Sequence, residues 1–335
     1  MNVFELTRAL VDIDSVSGNE HELGMYVYEY LASLASRHSG EVERMPVEGS
    51  RFNVLATWGE PAVTLSTHLD TVPPFFASRE DEDFIWGRGA CDVKGIMAAM
   101  IEAARNLLEE GVRRFGVLFV VGEERNSAGA FAASRQPRGS RYLINGEPTE
   151  NKLALGSKGA LRYEITAHGR MAHSAYPELG DSAIEKLLEA LAEIRRIELP
   201  RDPHLGPSTL NIGTIAGGRA PNVIPDLAKA EVMIRLVDDG NQIRQSVQRA
   251  VAGRAQAVEV LSIPALRLKA LDGFPTTVVA YTTDIPAFGG AWGEPLLLGP
   301  GSIHLAHTAE ERIPKRELLE AVTIYQSMVK RLLAA

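Results

Sequence analysis

The pattern of apolar and polar positions changes character near residue 158. Before it, stretches with helical spacing alternate with short unbroken apolar runs. "NEHELGMYVYEYLASL" places apolar residues at Leu23, Val27, Tyr30, Leu31 and Leu34, the spacing of one helix face. "FNVLATW" and "AVTLSTH" are short apolar runs and predict strands. "VKGIMAAMIEAARNLLEEG" predicts a long helix stopped by Gly111. "RFGVLFVVGEE" and "RYLINGEPT" predict two further strands, each running into acidic residues. Continuous apolar strands interleaved with helices predict an α/β domain whose mixed, mainly parallel sheet is covered by helices.

Beyond that point, "ALRYEITAHG" alternates like a half-exposed antiparallel strand. A helix over 181–197, strands at "STLNIGTIAG" and "LAKAEVMIRLV", a helix at "GNQIRQSVQRAVAG" and a strand at "AVEVLSI" follow. The order β-α-β-β-α-β predicts a ferredoxin-like α+β unit. It is read as an insertion over 158–264 into a discontinuous domain made of 1–157 and 265–335. The α/β pattern then returns with a strand at "EPLLLGPGS" and a closing helix at "KRELLEAVTIYQSMVKRLL", with Pro314 near its start. A length of 335 residues is also long for one core.

Composition narrows the function classes. The net charge is −8 and basic pairs such as Arg113–Arg114 are mixed with acids, so no field favours nucleic acid. The single cysteine, Cys91, permits no disulfide within the chain and fits a reducing compartment. "MNVFELTRALVDI" does not read as a signal peptide, and no run approaches about 18 apolar residues, so a cytoplasmic protein without membrane contact is expected.

The polar residues that end the apolar runs carry the chemistry. His68 and Asp70 lie in "STHLDTVPPF", Asp92 in "GRGACDVKG", Glu123 and Glu124 in "VVGEE", Glu147 in "NGEPT", and His307 in "GPGSIHLAHTAEE". Singly, each has an ordinary explanation as a cap, a turn residue or a solvated loop. Together they cluster where open α/β sheets place ligands, outside the carboxyl ends of the strands. Histidines with several carboxylates suit Zn²⁺, and one shared carboxylate would divide them into two sites. Paired metals clamp a hydroxide and polarise a carbonyl. Of two adjacent glutamates, one can bind metal while the other moves the proton. His68 and Asp70 are spaced to share one strand face, as a metal ligand and its orienting carboxylate would be.

On these motifs, together with "GRMAHSAYPELGDSAI" and "GGRAPNVIP", the chain resembles the di-zinc amidohydrolases: acetylornithine deacetylase, succinyl-diaminopimelate desuccinylase, aminoacylases and glutamate carboxypeptidases. The resemblance spans essentially the whole chain. It implies two Zn²⁺ ions, with Co²⁺ as a substitute. His68 and Glu147 would hold one ion and Glu124 and His307 the other, with Asp92 bridging and Asp70 orienting His68. Glu123 would take a proton from the attacking water and return it to the leaving amine. The alignment selects His307 over His304, three residues earlier. In the inserted domain, His173 matches a histidine that reaches a partner subunit's active site and helps bind the carbonyl oxygen, so a homodimer through that domain is implied. Asn222 matches a substrate-contacting residue.

Three further residues are substrate-binding candidates on their own chemistry. Arg235 has a guanidinium fork that matches a carboxylate. Gly301 and Ser302 offer backbone contacts. Cys91 reads as a buried structural thiol rather than a nucleophile.

"GPGSIHLAHTAEE" is most similar to the acetylornithine and acyl-lysine deacylases of arginine and lysine biosynthesis. That similarity implies hydrolysis of an Nα-acyl group from a small basic amino acid, with Asp284 a candidate acid for the far end of the pocket. A dipeptidase, carboxypeptidase or succinyl-diaminopimelate desuccinylase is the alternative within enzymes. A catalytically dead binding protein would require a lost ligand or base, and the full set is present. The reading of His68 as a ligand is open to test: His68→Ala is expected to lose metal at one site, and Asp70→Ala to keep it with affinity weakened about 10–100-fold. Equal metal content in wild type and His68→Ala would remove the assignment.

Overall fold

The computed structural model describes residues 1–335 and divides into two compact units. The first comprises Met1–Leu155, Leu268–Thr277 and Thr283–Ala335; the second comprises Gly156–Arg267 and Val278–Thr282.

The first unit is built on a six-stranded sheet. Its spatial order is Glu41–Glu48, Arg51–Trp58, Phe115–Val120, Val63–His68, Tyr142–Asn145 and Glu294–Leu297. The first two strands join antiparallel, and the last four run parallel to one another. Both faces are covered, which explains the unbroken apolar runs. On one side Val54, Val63, Leu65, Val117 and Phe119 pack with the helices Val3–Val11, His21–His38, Gly95–Glu109 and Lys315–Ala334. On the other, Leu55, Leu118, Val120 and Leu143 pack with Ala130, Phe288 and Trp292. Successive residues of one strand, Val117 and Leu118, thus serve opposite layers.

Local sequence sets the helix limits. Asn2 caps Val3–Val11 in a reciprocal capping box with Glu5. Gly95–Glu109 stops just before Gly111, whose φ of +80° suits glycine. Lys315–Ala334 begins at Pro314. No helix is long and apolar enough to cross a membrane.

The second unit has a four-stranded antiparallel sheet ordered Thr209–Gly217, Leu227–Leu236, Gly159–His168 and Gln256–Ile263. Its helices Ala183–Arg195 and Asn241–Val251 pack on one face through Leu187, Leu191, Ile243 and Val247 against Leu161, Tyr163, Ile165, Val232 and Ile234. This is the β-α-β-β-α-β arrangement, with the alternation of "ALRYEITAHG" matching a sheet that is buried on one face.

Trp292 tests the smaller layer of the first unit. It is fully buried, and its indole Nε1–H donates to the carbonyl of Ala133 at 2.9 Å. The Gln136 N–H also donates to that carbonyl at 2.9 Å, so Trp292→Phe removes one of its two donors and is expected to cost about 0.5–1.5 kcal/mol, beyond any cost of lost volume. The unfolding midpoint in urea reads this; an unchanged midpoint would show that the contact adds nothing.

Candidate metal centre

The parallel strands deliver the site. Val63–His68 ends on His68, Phe115–Val120 leads into Gly122–Glu124, and Tyr142–Asn145 leads to Glu147. Glu294–Leu297 leads through Gly299–Ser302 to His307, and Asp92 lies in the irregular turn before the helix Gly95–Glu109. All five segments belong to the first unit.

Asp92 is the centre of the group. Its Oδ1 lies 3.2 Å from His68 Nε2 and its Oδ2 lies 3.2 Å from His307 Nε2. His307 Nε2 is also 3.0 Å from Glu124 Oε1. Donor atoms of His68, Asp92 and Glu124 all lie within 4.8 Å of one another. His68 and Glu147 are buried, whereas the His307 side chain is half-exposed and opens the cluster to solvent. His307 has φ +63°, a left-handed conformation uncommon outside glycine. The neighbouring His304 is exposed and makes no contact with Asp92 or Glu124.

The electrostatics follow from burying so many acids together. Burial, reinforced by Glu147, holds Glu123 well above the ordinary carboxylate range. Burial likewise raises Glu147 and Glu124. Burial also works to raise Asp92, but hydrogen bonds from His307 and His68 overcome it and hold its carboxyl below the usual range. Bonds to Asp92 and Glu124 push His307 up to about 10. One buried oxygen of Glu147, Oε1, has no hydrogen-bond partner. A multivalent cation answers each of these features, and two histidines with carboxylate oxygens are the donor types that Zn²⁺ accepts. The residues present therefore fit a metal pair sharing Asp92.

Asp70 stands beside His68 and has a second set of partners. His68 Nδ1 lies 2.9 Å from the main-chain carbonyl of Asp70, against 3.6 Å from its carboxylate. The carboxylate is hydrogen-bonded on its other sides as well. It accepts the N–H groups of Gly122, Glu123 and Glu124 at 2.9, 3.0 and 3.2 Å, and the Ser17 hydroxyl at 2.6 Å. Asp70 thus holds the turn that presents both glutamates, and Gly122 supplies the φ of +82° that the turn requires.

Gly301 differs from expectation. Its N–H donates to Glu317 at 2.7 Å and its carbonyl accepts from Glu150, so its backbone is engaged inside the fold. A Cβ there would lie 2.5 Å from Cys91 Sγ, and φ is +86°. Ser302 accepts the Cys91 thiol on its carbonyl at 3.4 Å and bridges to Thr149. Cys91 is buried, and burial pushes its thiol well up, as suits a structural residue. Asp284 is only 1 % exposed. Burial pushes its carboxyl up to about 7, with Ser127 bonding against the shift.

In the second unit, the motifs of His173 and Asn222 meet. Ser174 N–H donates to the Asn222 carbonyl at 3.0 Å and Ile224 N–H to the Ala172 carbonyl at 2.9 Å. Both His173 and Asn222 are exposed. Arg235 lies within the strand Leu227–Leu236, opposite Thr209 and Ala160, and burial lowers its pKa. Two residues around Asp92 carried no signal of their own in the sequence. Arg88 lies in "GRGACDVKG" and Glu311 in "GPGSIHLAHTAEE", but nothing in their spacing marks them as a pair.

A family model described as a peptidase dimerisation domain, M20_dimer, matches residues 155–259. A peptidase M20 domain-containing protein of Schizosaccharomyces pombe is 38 % identical over 338 residues, covering 98 % of this chain and 84 % of the relative. A probable carboxypeptidase of Aspergillus terreus is 38 % identical over 370 residues, covering 96 % and 84 %. Among solved structures, a tripeptidase from Staphylococcus aureus superposes with TM-score 0.82 at 22 % identity, covering 98 % of each chain. A dinuclear metal-binding peptidase of the M20 family from Bacillus subtilis gives 0.70 at 16 % identity, covering 99 % and 98 %.

The protonation of His307 yields a prediction. Coordination needs its ring nitrogen free, whereas Asp92 and Glu124 hold a proton on it up to about pH 10 in the metal-free protein. Metal uptake therefore releases protons, and affinity rises with pH. Zinc titrations are expected to show tighter binding at pH 8 than at pH 6, with a calorimetric heat that depends on the buffer's ionisation enthalpy. The same affinity at both pH values would remove His307 from the ligand set.

Proposed function

The chain belongs to the M20 peptidase family, hydrolases of amide bonds, and on that premise we propose that it cleaves the amide of an N-acyl amino acid whose carboxylate is free. The preferred substrates are Nα-acetylornithine or an Nα-acyl-lysine. The observation that carries the reaction class is the Asp92 carboxylate, which offers one oxygen to each of two histidines inside a cluster of buried acids.

In this reading His68 and Glu147 would hold one zinc ion and Glu124 and His307 another, with Asp92 available to both. Bound metal supplies positive charge that polarises the amide carbonyl and eases deprotonation of water. Glu123 does the proton work. Its pKa is raised, first by burial and then by Glu147, in the direction that suits a group which both accepts and donates a proton. It takes a proton from the water whose oxygen attacks the carbonyl carbon. As the C–N bond breaks it passes that proton to the leaving nitrogen, giving a carboxylate and a free amine. Asp70 keeps Glu123 and Glu124 in place through their own N–H groups. His173, Asn222 and Arg235 are the second unit's candidate substrate contacts.

A homodimer through the second unit is part of the proposal. That unit matches a dimerisation-domain model, and its edge strand Thr209–Gly217 is exposed along most of its length. An open strand edge is a template for pairing with a second copy.

A carboxypeptidase or dipeptidase reading has its own support: relatives described as probable carboxypeptidases align over 96 % of the chain. The two readings share one bond type, since the last residue of a peptide is itself an N-acylated amino acid. A release assay on Nα-acetylornithine, Nα-acetyl-lysine, succinyl-diaminopimelate and dipeptides separates them. Glu123→Gln is expected to keep its metal and lose about 10²–10⁴-fold in turnover. Turnover within a few-fold of wild type would show that Glu123 is not the base.

A further inference from the structure

We propose that Glu311, locked to Arg88, is a positioning residue that fixes Asp92 so that both its carboxylate oxygens stay available to metal; this rests on the metal-centre reading above. Asp92 lies in a run, Ala90–Lys94, where it and Val93 leave helical geometry, with φ −123°, ψ 84° and φ −138°, ψ 21°. A regular hydrogen-bond ladder therefore does not set the direction of its side chain. Glu311 takes that role. Its Oε1 accepts the N–H groups of Cys91 at 3.2 Å and Asp92 at 3.1 Å.

The other oxygen of Glu311 is gripped by Arg88, whose Nη1 donates to Oε2 at 2.5 Å. The pair is enclosed: the Arg88 side chain is 2 % exposed and that of Glu311 0 %. Arg88 is held in turn, donating from Nε to the Pro74 carbonyl at 3.2 Å, with its guanidinium 5.0 Å from the Phe76 ring centroid. The Glu311 main chain is tied as well, since its carbonyl accepts the Gly87 N–H at 3.1 Å. Glu311 also follows His307 by four residues. One clamp thus links the backbone of the shared carboxylate to the segment that carries one of its two histidines. A group that bridges two ions needs both oxygens placed at once, so a small rotation of the 91–92 amides weakens both sites together. This separates Glu311 from His68, whose loss affects one site.

The test titrates metal-free wild type, Glu311→Gln, Arg88→Lys and the control Trp292→Phe with Zn²⁺ against a chromophoric chelator. Trp292→Phe weakens the same unit in its other layer and is expected to keep wild-type affinity. Glu311→Gln is expected to bind both ions about 10–100-fold more weakly, the usual range for outer-sphere partners of ligands. Wild-type affinity in folded Glu311→Gln would overturn the proposal. Should Glu311→Gln fail to fold, Arg88→Lys decides, because it keeps the charge and loses the fork: weaker binding of both ions supports the clamp, and unchanged binding overturns it. Loss of affinity in Trp292→Phe equal to that in the clamp variants would also overturn it, since general destabilisation would then suffice. Wild type that takes up no zinc would instead overturn the metal-centre reading itself.

Discussion

The head of the sheet is governed by the cost of gathering negative charge away from water. Asp92, Glu123, Glu124 and Glu147 converge there, and burial, with repulsion among the acids, drives three of them toward their neutral forms. Only Asp92 stays below its ordinary range, because two histidines bond its carboxylate from either side. Such an arrangement is unfavourable without positive charge among the acids. The same confinement favours a divalent cation among the acids and raises the Glu123 carboxyl above its ordinary range.

Acids held against their mutual repulsion need rigid support, and the fold supplies it from the backbone. The Asp70 carboxylate collects the N–H groups of Gly122, Glu123 and Glu124. Glu311 does the same for Cys91 and Asp92. In both cases a buried carboxylate aims other carboxylates by holding their main chain. Parallel strands then bring these turns to one edge, since each strand ends where the next begins to diverge. The second unit has an ordinary one-sided sheet and contributes exposed loops, in which the segments around His173 and Asn222 are paired.

Much of this was legible beforehand because it rests on periodicity and residue type. The unbroken runs at Val63–His68 and Phe115–Val120 marked strands buried on both faces, and the order of elements after residue 158 marked the ferredoxin-like unit. The roles of Asp70 and Gly301 were less legible. Spacing puts Asp70 beside His68, but no local pattern shows that its carboxylate also gathers the amides of Gly122, Glu123 and Glu124. A backbone amide offers no signal of whether its partner is a substrate or a residue such as Glu317.

The sequence by itself determined which chemical groups stand at the ends of the apolar runs, the two-layer and one-sided characters of the two sheets, and the family. These follow from local hydrophobic pattern and short motifs. Only the tertiary structure decided how the groups face one another: that Asp92 turns one oxygen to each histidine, that Asp70 serves the glutamate turn, and that Arg88 and Glu311 lock behind Asp92 across 223 residues of chain. Direction and distance between remote residues are set by the packing of the strands and helices that carry them, and no local pattern encodes that packing.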